Sequence, residues 1–123
     1  MMKRLHTLAL TCFLSATVLA SPFAAAHATM KSSSPAAGST VVAPVNEIVL
    51  NFNEKLEQSF SSATVQGPDG VNVATTKAQV DAANPLSLRL AVPALAAGQY
   101  TVQWIAVGRD GHRRNGDFKF AVK

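Results

Sequence analysis

The sequence predicts an all-β domain of two packed sheets behind a secretory leader. Two observations carry the fold class: several short runs place apolar residues at every second position, and Gly- or Pro-containing turns separate those runs. A third agrees with them, because the only segments rich in helix formers are too short or are cut by proline.

The elements follow in order. Lys3 and Arg4 open the chain, residues 8–20 form an apolar stretch, and Phe23-Ala24-Ala25-Ala26 places small residues just ahead of His27. These three zones predict a cleaved signal peptide over residues 1–26. The apolar stretch is short for a membrane span, which sets aside the alternative of an uncleaved anchor. Cys12, the only cysteine, lies inside that stretch and is discarded with it, so the mature part has neither a disulfide nor a thiolate site. Cleavage leaves residues 27–123, enough chain for one domain with a single modest core. Of the 11 Lys and Arg, two leave with the leader, and the nine that remain face seven Asp and Glu. That balance does not argue for nucleic acid as a partner; only Arg109, Arg113 and Arg114 cluster.

Residues 31–34, ahead of Pro35, read as an extended lead-in strand. Over residues 46–53, Ile48, Leu50 and Phe52 share one face while Glu47, Val49 and Asn51 share the other. Residues 54–59 admit a helical turn. Residues 62–66 and 71–76 read as strands of a hairpin joined by Gly67-Pro68-Asp69-Gly70, where glycine reaches positive φ and proline fixes the entry angle. Leu86, Leu88 and Leu90 alternate with Ser87, Arg89 and Ala91. Residues 91–97 are rich in helix formers but interrupted by Pro93. Tyr100, Val102, Trp104 and Ala106 then share a face, with Trp104 read as a core aromatic, and Phe118, Phe120 and Val122 close the series. This spacing fits a sandwich or a barrel.

The chemistry concentrates at the two ends of the mature chain. Cleavage before His27 would expose an α-amine on a residue that also carries an imidazole, and the two nitrogens can close a chelate ring on one metal ion. Asp110-Gly111-His112, in a polar stretch between the last two strands, adds a carboxylate and a second imidazole. Asp-Gly is equally a common hairpin turn, so spacing alone leaves that alternative open. Nitrogen and oxygen donors in a tetragonal plane suit Cu(II), or secondarily Ni(II); zinc prefers a tetrahedron and calcium mostly oxygen. Met30 is the one methionine beyond the leader, too few for a thioether Cu(I) site, and is read as packing. Ser32, Ser33 and Ser34 lack the context of a catalytic nucleophile, and no glycine-rich phosphate loop occurs, so no enzyme is expected. A cut after Ala28 also satisfies the small-residue rule, and it would remove the histidine.

A leading His27, the stretch 33–38 (SSPAAG), the strand 48–54 (IVLNFNE), the segment 97–104 (AGQYTVQW), Asp110-Gly111-His112 and residues 116–120 (GDFKF) together resemble the CopC family of periplasmic copper-binding proteins. The resemblance spans essentially the whole mature chain. It implies a Greek-key, immunoglobulin-like β-sandwich and one bound Cu(II), held by His27 through its amine and ring, by His112 and by Asp110. It also implies a role in copper sequestration or delivery, beside an inner-membrane copper-transport protein of the CopD type. Glu54 falls at the family's acidic position after the Phe-containing strand; it stands either as a residue orienting the ligands or as a solvated strand-end charge. The hairpin at residues 65–73 lacks the thioethers of relatives with a Cu(I) site, and Thr29 stands where some relatives carry a further histidine. Two rival readings remain: an oxidative copper enzyme built on an N-terminal histidine, separable by reductant-dependent peroxide formation, and a metal-free immunoglobulin-like interaction module, separable by its failure to bind copper.

Overall fold

The computed structural model describes residues 28–123. His27 and the leader lie outside the described residues. Eight strands are present: β1 (Met30–Ser34), β2 (Thr40–Val41), β3 (Glu47–Phe52), β4 (Ser62–Gln66), β5 (Gln79–Val80), β6 (Ser87–Ala91), β7 (Gly98–Val107) and β8 (Arg113–Val122). They form two four-stranded sheets, ordered β1-β3-β6-β5 and β2-β8-β7-β4. All pairings are antiparallel except β2 with β8. The sheets pack face to face as an all-β Greek-key sandwich.

The two-residue period explains the packing. Ile48, Leu50 and Phe52 of β3 and Leu88 and Leu90 of β6 are buried on one sheet. Val65 of β4, Tyr100, Val102 and Ala106 of β7, and Phe118, Phe120 and Val122 of β8 are buried on the other. All of them belong to one continuous core, with Met30 and Trp104 packed against its margin. Trp104 meets Phe52 edge-on, with ring centroids 5.2 Å apart, and Tyr100 stacks on Phe120 at 5.5 Å. The Trp104 ring covers Gly116, its cross-strand partner, where a Cβ would stand only 2.6 Å from Cζ2.

Several expected elements differ. Residues 71–76 form no strand: past Gly70 (φ +79°) the returning arm makes a single bridge, Gln66 with Asn72. Asp69 and Asn72 explain this, because their carboxylate and amide oxygens accept the Val71 and Ala74 N–H groups at 3.0 and 3.1 Å and turn the backbone away from a ladder. Residues 54–59 form no helix; one turn closes at Phe60 and Ser61, whose N–H groups both donate to the Glu57 carbonyl. Residues 91–97 are likewise not helical. β8 starts at Arg113, five residues ahead of the apolar series that opens at Phe118, and β2 and β5, two residues each, were not expected. Ser87, placed on the polar face, is buried; its hydroxyl donates to Asn51 Oδ1 at 2.6 Å and accepts from Asn84 Nδ2 at 3.2 Å.

Candidate metal centre

The β7–β8 hairpin sets the site. Val107 pairs with Arg113, and residues 108–112 turn between them, with Gly111 at φ +82°, a conformation that glycine reaches without strain. Asp110 organises this turn with both oxygens. Its Oδ1 accepts the His112 backbone N–H at 3.0 Å, and its Oδ2 lies 2.8 Å from His112 Nδ1. The sequence therefore did bring the carboxylate and imidazole together. Asp110 orients the ring through Nδ1, and in the tautomer that carries its proton on Nδ1 the lone pair lies on Nε2. A carboxylate oxygen has two lone-pair sites, so accepting a loop N–H does not by itself stop a carboxylate from acting as a donor. The His112 side chain is 61% exposed and that of Asp110 26%, an arrangement open to a diffusing ion.

A second carboxylate lies under the loop. The segment after β3 is tied to the end of β7: Leu56 bridges Gly108, the Glu57 N–H donates to the Val107 carbonyl at 2.8 Å, and the buried Ser61 hydroxyl accepts the Val107 N–H at 3.1 Å. This tether brings Glu54 against Gly108. A Cβ at position 108 would overlap Glu54 Oε1 and come within 3.3 Å of Asp110 Oδ1, so both carboxylates converge on the space beside that glycine. Glu54 Oε1 is buried and has no hydrogen-bond partner among the described residues. A buried carboxylate oxygen without a partner is costly, and a cation or N–H donor beside it would relieve that cost.

The start of the described chain lies at the same end of the sandwich. The Thr29 N–H donates to Asn53 Oδ1 at 2.7 Å, and the Asn53 N–H returns a bond to the Thr29 carbonyl at 3.1 Å. Ala28 is fully buried in the core. Asn53 is the immediate neighbour of Glu54, so residues 28 and 29 enter the fold beside the carboxylate that underlies the loop. Of the expected site residues, Asp110, His112 and Glu54 are thus gathered at one end. Asn53, Ser61 and Gly108 were missed; a glycine closing a long apolar strand was the only local sign for any of them. Among the described residues no three His, Cys, Asp or Glu side chains form a group that could hold a metal ion.

Residues 30–123 match the family model described as the CopC domain. The chain belongs to the CopC family. It is 37% identical over 108 residues to protein YobA of Escherichia coli K12, covering 87% of each chain, and 39% identical over 108 residues to copper resistance protein C of Escherichia coli, covering 81% of this chain and 84% of the other. Among solved structures it resembles CopC from Methylosinus trichosporium OB3b, with a TM-score of 0.73 at 31% identity over 79% of this chain and 94% of that one.

Proposed function

We propose that this CopC-family chain is exported to the periplasm, loses residues 1–26, and binds one Cu(II) to sequester or deliver it as a carrier, with no catalytic role. The donors are the His27 α-amine and imidazole, His112 and Asp110, and Glu54 acts from beneath the loop to orient them. The observation that carries the reading is the convergence of Asp110, His112 and the unpartnered Glu54 oxygen on the end of the sandwich where residues 28 and 29 enter. His27 is joined covalently to Ala28, and Ala28 is locked in the core, so the span its donors must bridge is short. Buried Ala28 also supports processing before His27, since a cut after Ala28 would take a packed residue out of the core.

Nitrogen and oxygen donors of this kind favour Cu(II) by geometry and by its place at the head of the divalent affinity order. A Cu(I) role finds no support: Met30 is the one methionine beyond the leader and is packed against the core. The amine and both imidazoles must be free of protons to bind, so affinity falls as pH is lowered. An inner-membrane transport protein of the CopD type is the proposed partner in transfer. The test is a Cu(II) titration of the processed protein beside His112→Ala. Removing a donor should weaken binding at least about 100-fold, beyond the 10–100-fold typical of outer-shell changes, with the fold intact by circular dichroism. Unchanged affinity in a folded His112→Ala protein would remove His112 from the donor set.

A further inference from the structure

The metal loop borders an apolar groove on the outer face of the second sheet. Ile105 and Val107 of β7 form its floor, Ser59 and Phe60 one side, and Gly111 and Arg113 the other. Phe60 is 67% exposed, and of the large exposed hydrophobics among the described residues (Val42, Phe60 and Val71) it alone lines this groove. The turn that presents it is fixed, because the N–H groups of Phe60 and Ser61 bond the Glu57 carbonyl and Ser61 bonds Val107. The ring is thus held outward by the same tether that carries Glu54 to the loop.

Arg113 is the one charged side chain that lines the groove. Arg109, Arg113 and Arg114 are all exposed, and among the described residues none of them forms an ion pair, whereas Arg89 pairs with Glu47 and Asp81. Asp110, next to Arg109, is occupied by the His112 ring and backbone, and Asp117 lies on the same outer face as Arg113 without pairing with it. A rigid apolar slot walled by an unpaired guanidinium selects an apolar side chain flanked by carboxylates.

We infer that this groove is the docking surface for a partner protein, which inserts an apolar side chain between Phe60 and Ile105 and sets a carboxylate on Arg113. The inference deepens the delivery reading and rests on it for the purpose of docking: a partner seated here lies one residue from His112. A second copy of this chain would bring the same arginines against each other and is repelled. An anionic bilayer is the poorer match, since three arginines fall short of the four to eight basic residues typical of such patches. The groove is small, which suits a brief contact rather than a permanent one.

The test is an amide-resolved NMR titration of the isotope-labelled protein with a synthetic peptide of about ten residues, Asp and Glu flanking a central Leu-Phe pair. A counterpart with Lys in place of the acids and phosphatidylglycerol vesicles serve as comparisons. The acidic peptide should saturate on the order of 1 mM or tighter, with shifts centred on Phe60, Ile105, Gly111 and Arg113. Arg113→Glu and Phe60→Ser should each weaken it about tenfold, the former by replacing attraction with repulsion. Cu(II) affinity of Phe60→Ser should stay at the parent value. No saturation, shifts centred elsewhere, equal binding of the Lys peptide, or binding of vesicles in place of the peptide would overturn the inference. If the parent failed to bind Cu(II) while the peptide mapped to the groove, the delivery reading would fall and the surface would stand. If Cu(II) bound and the peptide did not, the surface alone would fall.

Discussion

Replacing Gly108 with alanine tests the packing that places Glu54 beside the loop of residues 108–112. The added methyl would overlap Glu54 Oε1, and real Cβ contacts lie beyond about 3.5 Å, so the carboxylate must retreat by about 2 Å. Oε1 is buried, and the retreat disturbs a closely packed position; overpacking of this kind costs about 1–3 kcal/mol. Opposing it, alanine restricts the unfolded chain and gains about 0.4–1 kcal/mol, since no left-handed φ is required at 108. The net expectation is a loss of about 0.5–2 kcal/mol, or several degrees in Tm for a domain of this size. In a Glu54→Ala background the obstruction is gone, and the same Gly108→Ala change should become neutral or stabilising. Urea unfolding of the four proteins, followed by circular dichroism, gives the coupling directly. Additive effects would refute the reasoning. Cu(II) titration of the same set should show Gly108→Ala and Glu54→Ala weakening affinity to a similar degree, because each removes the carboxylate from its place.

Two further outcomes follow from contacts in the fold. Gly116→Ala drives a methyl to within 2.6 Å of the Trp104 ring, which is braced by Phe52 and cannot swing aside; a loss of about 1–3 kcal/mol in urea unfolding is expected, with altered emission from the single tryptophan, and parent-like stability would show the ring to be mobile. Arg89, which donates to Asp81 at 2.9 Å and Glu47 at 2.6 Å, holds the Asp81 carboxyl below its ordinary range, an effect that favours the folded state above the unfolded-state pKa and vanishes as pH falls through the lowered value. Asp81→Asn should therefore reduce the urea midpoint at pH 6 but not well below pH 3, and an equal difference at both would contradict the sign.

The core was legible because Ile48, Leu50 and Phe52, or Tyr100, Val102 and Ala106, declare their inward face by alternation alone. The hairpin loop was legible for the same reason, bracketed by β7 and β8 and marked by Asp110-Gly111. The first half of β8 was not. Residues 113–116 (Arg-Arg-Asn-Gly) carry no apolar alternation, and what makes them strand is their pairing with residues 104–107 of β7, which no local pattern declares. Val71 and Val73 mimic a strand, yet Asp69 and Asn72 spend their side chains on the local backbone. Glu54 read equally well as a surface charge, because what buries it is Gly108, distant in sequence and brought near only by the tether through Ser61. The resemblance to the CopC family left that acid as either a ligand-orienting residue or a solvated strand-end charge, and the packing puts it beside Gly108.

Copper binding by the processed protein, compared with a version carrying one extra residue ahead of His27, reaches the account most directly. The extension converts the amine into an amide while leaving every side chain in place. Affinity for Cu(II) should collapse, and the proton release that accompanies binding at neutral pH should shrink. A lengthened protein that still bound the ion with parent affinity would contradict the proposal that the chain's own first nitrogen holds the metal.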